Sequence, residues 1–306
     1  MKSSANPHII NSIAEYHKLL DLPEPEHPLI SVIDLACRAE LIDLPDNKLI
    51  YNFYTIFLKK NIDGTIGYGR KYYDFSNGLM GFSLPMQVFT INRNLDYSRL
   101  TGWMLLIHPD FIRQYPLAAK IENYGFFSYN INEALHLSEK EEELIARITH
   151  DIRSEYRQPI DGFSQDVIVS HIEVLLNYCN RFYNRQFITR KSSEQEPLAR
   201  FEILIKNIFQ QDDIKSIPSV QELSDELNVS AHYLSDMLRS LTGLSAQQHI
   251  HNLLIEKAKQ ILLTTNLSIN ETAFKLGFEY PQYFNRLFKN KTGVTPAAFR
   301  KDLINS

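Results

Sequence analysis

The stretch from Ser268 to Phe299, SINETAFKLGFEYPQYFNRLFKNKTGVTPAAF, repeats a segment met earlier in the chain, and that repeat constrains the fold more than any other feature. Moved back by 49 residues, Ser268-Ile269-Asn270-Glu271 falls on Ser219-Val220-Gln221-Glu222, and Leu276 falls on Leu227. After one extra residue in the later copy, Tyr283 to Lys289 falls on Tyr233 to Arg239, and Thr292-Gly293-Val294-Thr295-Pro296 on Thr242-Gly243-Leu244-Ser245-Ala246. The later copy reads as a short helix, a turn at Gly277, a second helix from about Pro281 to Lys289, and a stop at Gly293 to Pro296. The earlier copy spans about Ser219–Leu241, and a connecting helix over Ala246–Leu263 joins the two. The pattern predicts two helix-turn-helix motifs in tandem.

A repeat of this size occupies only the end of a 306-residue chain, so at least one further domain is expected in front of it. Residues from about Ile30 to Tyr129 change character. Leu49–Leu58 and Met86–Ile91 are rich in β-branched and aromatic residues, and Gly102–His108 is a further strand stopped by Pro109. Turn signals at Asn61–Gly64, Gly67–Gly69 and Ser76–Gly78 separate such runs, which predicts a small β-barrel or sandwich of about seven or eight strands. Helices are expected at about Ile10–Leu20, Pro109–Lys120 and Ser138–Tyr156, the last with Ser138 and Glu141 as a capping box, and Gly125–Tyr129 is read as another strand. Asp161–Arg190 is the longest helical stretch. There Ile168, Ile172, Leu175, Cys179 and Phe182 recur at alternating spacings of four and three, the seam of a two-helix contact, made either within the domain or between two copies of the chain. The polar run 191–198 is a linker. The domain reading is therefore 1–190, a β-rich domain with a helical tail, and 199–306, all helical after a first helix at Leu198–Gln210. The fold class is α+β.

Charge and composition narrow the chemistry. No apolar run approaches the length of a membrane helix, and no secretory leader is expected from the first twenty residues. Two cysteines, Cys37 and Cys179, support neither a disulfide framework nor a cysteine-built metal site, so a reducing cytoplasm is expected. Net charge is −4 overall, but from Ala199 onward 12 Lys and Arg face 11 Asp and Glu. Nucleic-acid binding by this end must therefore rest on a few well-placed cations rather than on a bulk positive field. Phosphate-loop, nucleophile-elbow and zincin motifs are absent. The one H-x-H, His249-Ile250-His251, falls in the connecting helix, where residues two apart diverge, and His108 in its apolar strand is read as structural. No catalytic residue, metal site or cofactor is expected. Aromatic residues in the β region (Tyr51, Phe53, Tyr54, Phe57, Phe82, Phe89) are either core or the lining of an apolar pocket.

In a helix-turn-helix motif the second helix enters the major groove. In the first motif, Tyr233 or Leu234, Met237 and Leu238 face inward and His232, Ser235, Asp236 and Arg239 outward. In the second, Phe284, Leu287 and Phe288 face inward, leaving Gln282, Tyr283, Asn285, Arg286 and Lys289. Gln and Asn suit adenine, Arg suits guanine, and Lys289 and Lys291 suit phosphates. At these residues the chain resembles the AraC family of bacterial transcription regulators, through Ala273, Gly277-Phe278, Tyr283-Phe284, Arg286, Phe288-Lys289, Gly293, Pro296 and Phe299-Arg300. The match covers about the last 105 residues. The front half is similar to the family's cupin-like effector and dimerisation domain in layout only. The resemblance implies a dimeric regulator that binds promoter DNA, with base contacts from His232, Ser235, Asp236, Gln282, Tyr283, Asn285 and Arg286 and phosphate contacts from Arg239, Lys289 and Lys291. It further implies a small-molecule effector and RNA polymerase as candidate partners. Asp236 stands where the family often has a basic residue, and Leu254 in the connecting helix replaces a frequent arginine. The alternative is a cupin-type enzyme or small-molecule-binding protein with a helical appendage; a stoichiometric metal in the purified protein would favour it.

Overall fold

The computed structural model describes residues 8–37, 48–61, 78–90, 99–130, 133–159, 161–189, 197–211 and 213–304. The chain divides into two compact units, Met1–Gln186 and Phe187–Ser306. The expected turns at 62–64, 67–69 and 76–77, and most of the expected linker, lie outside the described residues.

The first unit holds eight described strands: β1 (His8–Ile10), β2 (Ile30–Asp34), β3 (Lys48–Tyr51), β4 (Tyr54–Lys60), β5 (Leu79–Ser83), β6 (Val88–Thr90), β7 (Thr101–Ile107) and β8 (Leu135–His136). They form two sheets, a three-stranded β1-β3-β6 and a five-stranded β2-β7-β4-β5-β8, and no pairing among the described strands closes a barrel. The larger sheet is antiparallel throughout, with Ile56 opposite Leu105 at its centre; in the smaller one β1 runs parallel to β3. The stretch Leu49–Leu58 is therefore two strands rather than one. At Asn52-Phe53 the chain leaves the small sheet for the large one: the Asn52 amide donates to the Ile10 carbonyl at 3.0 Å, and Phe53 is wholly buried. The core formed around this crossing includes Ile10, Ile13, Leu49, Tyr51, Phe53, Met104 and Leu106. Tyr51 stacks on Phe53 at 5.4 Å and meets Tyr16 edge-on at 5.3 Å, so Tyr51 and Phe53 are core.

The helices follow their caps. Helix α1 covers Ile13–Leu19, entered through Ser12, whose hydroxyl accepts from the Glu15 amide. The Pro109–Lys120 segment forms two single turns, α2 (Pro109–Ile112) and α3 (Leu117–Lys120), and His108 caps α2 by accepting from the Asp110 amide, a structural role. Gly125–Ser128 is a 3-10 turn, not a strand. Phe126 and Phe127 are consecutive and both buried, an arrangement a strand facing one core cannot supply because its successive side chains point to opposite faces. Helix α4 (Glu139–Glu155) carries the expected capping box at Ser138 and Glu141. Arg185, near the end of α5 (Ser164–Thr189), donates to Glu141 at 2.8 Å and to the His136 carbonyl, clamping the two helices.

Ile168, Ile172, Leu175, Cys179 and Phe182 are each at most 5% exposed. The seam is buried in the single chain, and burial raises the Cys179 thiol far above its ordinary pKa. No helix among the described residues is long and apolar enough to cross a membrane.

The second unit is all helical: α6 (Pro197–Gln210), α7 (Val220–Leu227), α8 (Ala231–Thr242), α9 (Ala246–Thr264), α10 (Ile269–Lys275), α11 (Pro281–Thr292) and α12 (Pro296–Ile304). The helix α12 begins where the repeat's stop signal stands, with Pro296 at the start of a new helix. Two cations hold carbonyls that helix ends leave unpaired: Lys257 of α9 donates to Phe209 and Gln211 at the end of α6, and Arg300 of α12 donates to Leu262 near the end of α9.

Candidate nucleic-acid interface

The repeat seen in the letters is repeated in the bonds. Ser219 and Ser268 open α7 and α10 with the same capping box, their amides donating to Glu222 and Glu271 at 2.8 and 2.7 Å. These bonds, made by the charged form, hold both carboxyls below their ordinary value. At the turn, Asn228 and Gly277 both take a left-handed conformation, with φ of 57° and 81°. The Val229 amide then donates to Ser224 and the Phe278 amide to Ala273, each at 3.0 Å. At the far end Gly243 and Gly293 close α8 and α11, with φ of 77° and 81°. Their amides reach Arg239 and Lys289 at 2.9 and 2.8 Å, and the Thr242 and Thr292 hydroxyls donate to Leu238 and Phe288. The motifs differ at the entry to the second helix. Ser230 caps α8 by accepting from the Tyr233 amide, whereas the inserted residue gives α11 a Tyr280-Pro281 start with no side-chain cap.

Because the backbones match, the exposed faces can be compared position by position. Residues at i, i+4 and i+7 share one helix face. In α11 these are Gln282, Arg286 and Lys289, all exposed; in α8 they are His232, Asp236 and Arg239. The inward residues are as expected: Tyr233, Leu234, Met237 and Leu238 are buried, as are Phe284 and Phe288, while Leu287 is half-buried. In the second motif the Arg286 guanidinium lies 5.3 Å over the Tyr283 ring, and Tyr280 meets Tyr283 edge-on at 5.8 Å. The aromatic pair restricts Arg286 before any partner arrives. In the first motif Arg239 donates to the Asp236 carboxylate at 3.0 Å, so the acid that departs from the family pattern holds the neighbouring cation.

Three predicted contact residues stand differently. Ser235 is half-buried beside Asp236. Asn285 is half-buried and its amide donates to the Pro281 carbonyl at 3.1 Å, along its own helix. Lys291 sits about half a turn away from the stripe, and its ammonium donates to Asn252 of α9 at 3.0 Å. Asn290, exposed and between Arg286 and Tyr283 around the helix, belongs to the same face and was missed, although its spacing of four from Arg286 was readable. His249 and His251 bond different partners, Thr242 and Gln247, in keeping with their divergent directions.

A family model described as a helix-turn-helix domain matches residues 223–302. Over 151 residues the chain is 29% identical to the "Uncharacterized HTH-type transcriptional regulator YfiF" of Bacillus subtilis, covering 47% of this chain and 45% of that protein. It is 32% identical over 87 residues to the "Msm operon regulatory protein" of Streptococcus mutans, covering 28% and 31% of the two chains. The chain thus spans less than half the length of either relative. Among solved structures, the C-terminal domain of AraT, a response regulator from Geobacillus stearothermophilus, is 32% identical, covers 36% of this chain and 88% of its own, and superposes with a TM-score of 0.32. The matched segment contains the whole run of signature residues from Ala273 to Arg300 and most of both motifs, and the C-terminal part of this chain is a helix-turn-helix domain of the AraC family of transcription regulators.

Proposed function

We propose that the protein is a sequence-specific transcription regulator that reads double-stranded promoter DNA with α8 and α11 in successive major-groove segments. The observation that carries this reading is the exposed stripe Gln282, Arg286 and Lys289, repeated in register by His232, Asp236 and Arg239. Gln282 and Arg286 have the donor geometry for adenine and guanine edges, and Asp236 can accept from cytosine N4. Asn285 and Lys291 reach DNA only by exchanging their present bonds to Pro281 and Asn252, so first contacts fall to Gln282, Tyr283, Arg286 and Lys289. Removal of the Arg286 side chain (Arg286→Ala) is expected to weaken binding to the cognate site by about 1–3 kcal/mol and relax specificity at one base pair. A footprint and binding isotherm identical to wild type would remove α11 from the groove. Lys289→Ala is expected instead to weaken binding to all sequences alike and to reduce the slope of log affinity against log salt by about 0.9; an unchanged slope would take Lys289 out of the phosphate set.

In the same reading the front of the chain, 1–190, is a cupin-like effector and dimerisation domain joined by a linker at 191–198 to the DNA-binding domain at 199–306. Such a regulator works in the cytoplasm, has no enzymatic activity, and meets RNA polymerase at its promoters. The two sheets flanked by α4 and α5 support the assignment. Since the seam of α5 is buried in the single chain, a homodimer contact falls to its outer face, where Val167 and Val174 are exposed seven residues apart, with exposed Phe163 just before the helix. Val174→Glu is expected to shift a dimer to monomer in analytical ultracentrifugation; wild-type protein that sediments as a monomer at micromolar concentration would remove the contact.

A further inference from the structure

The two motifs match in backbone but not in charge, and the difference falls on one position of the repeat. His232, Asp236 and Arg239 of α8 stand where Gln282, Arg286 and Lys289 stand in α11. The α11 stripe is cationic, whereas the carboxylate and the guanidinium of the α8 stripe cancel. In α11 the outer Tyr283 ring carries Arg286 at 5.3 Å. The tyrosine at the same place in α8, Tyr233, is buried and offers no such outer ring. Asp236 replaces Arg286 there, and its Oδ1 accepts from the Arg239 guanidinium at 3.0 Å. Of the two, Arg239 reaches further into solvent, with 59% of its side chain exposed against 31% for Asp236.

A guanidinium and a carboxylate make opposite demands of a base pair. Arginine donates to O6 and N7 of guanine, while a carboxylate only accepts and finds its donor at cytosine N4. Set against guanine or against thymine O4, it brings acceptor to acceptor and stays close to the phosphates. It therefore rejects the wrong sequence harder than a neutral side chain does. Arg239 offsets the repulsion and lets the acid approach the duplex. A guanidinium held in this way does less to neutralise a phosphate and release its counterion. The α8 stripe thus selects more than it attracts, and the α11 stripe does both.

We infer that the two motifs read unlike elements: the DNA site is an imperfect repeat, with guanine facing Arg286 in one segment and cytosine facing Asp236 at the matching place in the other. Successive major-groove segments put these places about one helical turn, roughly 10 base pairs, apart. The inference rests on the reading of α8 and α11 as DNA-reading helices. The test is selection of sites by the full chain from a random duplex library, repeated with Asp236→Asn and Asp236→Arg. Binding to the enriched site, to its single-base variants and to unrelated duplex is then measured against salt. Wild type is expected to enrich cytosine at the Asp236 place and to bind the other bases there about 5- to 150-fold more weakly. Asp236→Asn keeps the shape and removes the charge. It is expected to move the preference to adenine and to bind unrelated duplex more tightly, with the slope of log affinity against log salt steeper by about 0.9 as Arg239 turns to a phosphate. Asp236→Arg is expected to enrich guanine at both places, so that the protein repeat reads a DNA repeat. Circular dichroism is expected to show both variants folded, because an exposed ion pair contributes little to stability; should one fail to fold, the other carries the test. No enriched sequence for wild type would overturn this inference and the DNA-reading function together. An enriched site with guanine at both places in wild type, or with the same base preference in wild type and a folded variant, would overturn this inference alone.

Discussion

Phe288→Ala is expected to destabilise the second unit by about 3–5 kcal/mol, the usual cost of truncating a buried aromatic side chain. Phe288 is fully buried, and its ring meets Phe284 at 5.7 Å and Phe299 at 5.5 Å, while Phe284 in turn meets Phe278 at 5.4 Å. The second motif is thus assembled around a chain of flat, rigid rings that link its turn, its outer helix and α12. Such rings close poorly over a void, so the cost should fall in the upper part of that range. The first motif has a smaller, wholly buried Leu238 at the same place, and Leu238→Ala is expected to cost about 2–5 kcal/mol. Chemical denaturation followed by circular dichroism measures both; a loss below about 1 kcal/mol for Phe288→Ala would mean that the ring cluster is not the core of the motif.

Gly277→Ala is expected to be nearly as damaging for a different reason. At φ of 81° the backbone occupies the left-handed region, where a side chain costs about 1–3 kcal/mol. A Cβ built there would also lie 2.8 Å from the Ile214 carbonyl oxygen and 3.1 Å from the Ile217 amide nitrogen. The segment it would strike is anchored to the second motif, because the Ile214 amide donates to the Lys275 carbonyl at 3.0 Å. Backbone cannot rotate aside as a long side chain can, so the turn must move away from the segment leading into α7. Specific DNA binding should therefore fall further than stability alone requires, since the two reading helices would no longer keep their spacing. Gly277→Asn separates the causes: asparagine tolerates the left-handed backbone, as Asn228 does at the same place in the first motif, yet meets the same carbonyl. Thermal midpoints of both variants within about a degree of wild type would show that the close approach carries no weight.

What could be read from the letters was what local chemistry controls. Capping boxes, left-handed turn residues and the inward spacing of Leu234, Met237, Leu238, Phe284 and Phe288 act within one or two helical turns, and their partners lie a few residues away. Hence the tandem motifs and most of the exposed stripe were legible, down to the one-residue insertion before α11. Elsewhere the outcome depended on partners far along the chain. The crossing at Asn52-Phe53 arises because β3 pairs with β6 and β1 while β4 pairs with β7 and β5, which strand composition does not encode. Consecutive Phe126 and Phe127 had the composition of a strand, but a 3-10 turn lets both enter one core. The spacing along α5 announced a two-helix contact without saying whose; the structure adds that its residues are already buried in the single chain. Lys291 and Asn285 had the right chemistry for DNA, but only the structure shows that they are engaged with Asn252 and with the Pro281 carbonyl. The pocket between the large sheet and α4 left no trace in any motif, because it joins Trp103 on a strand to Arg153 on a helix fifty residues on, and only tertiary packing brings the two elements together.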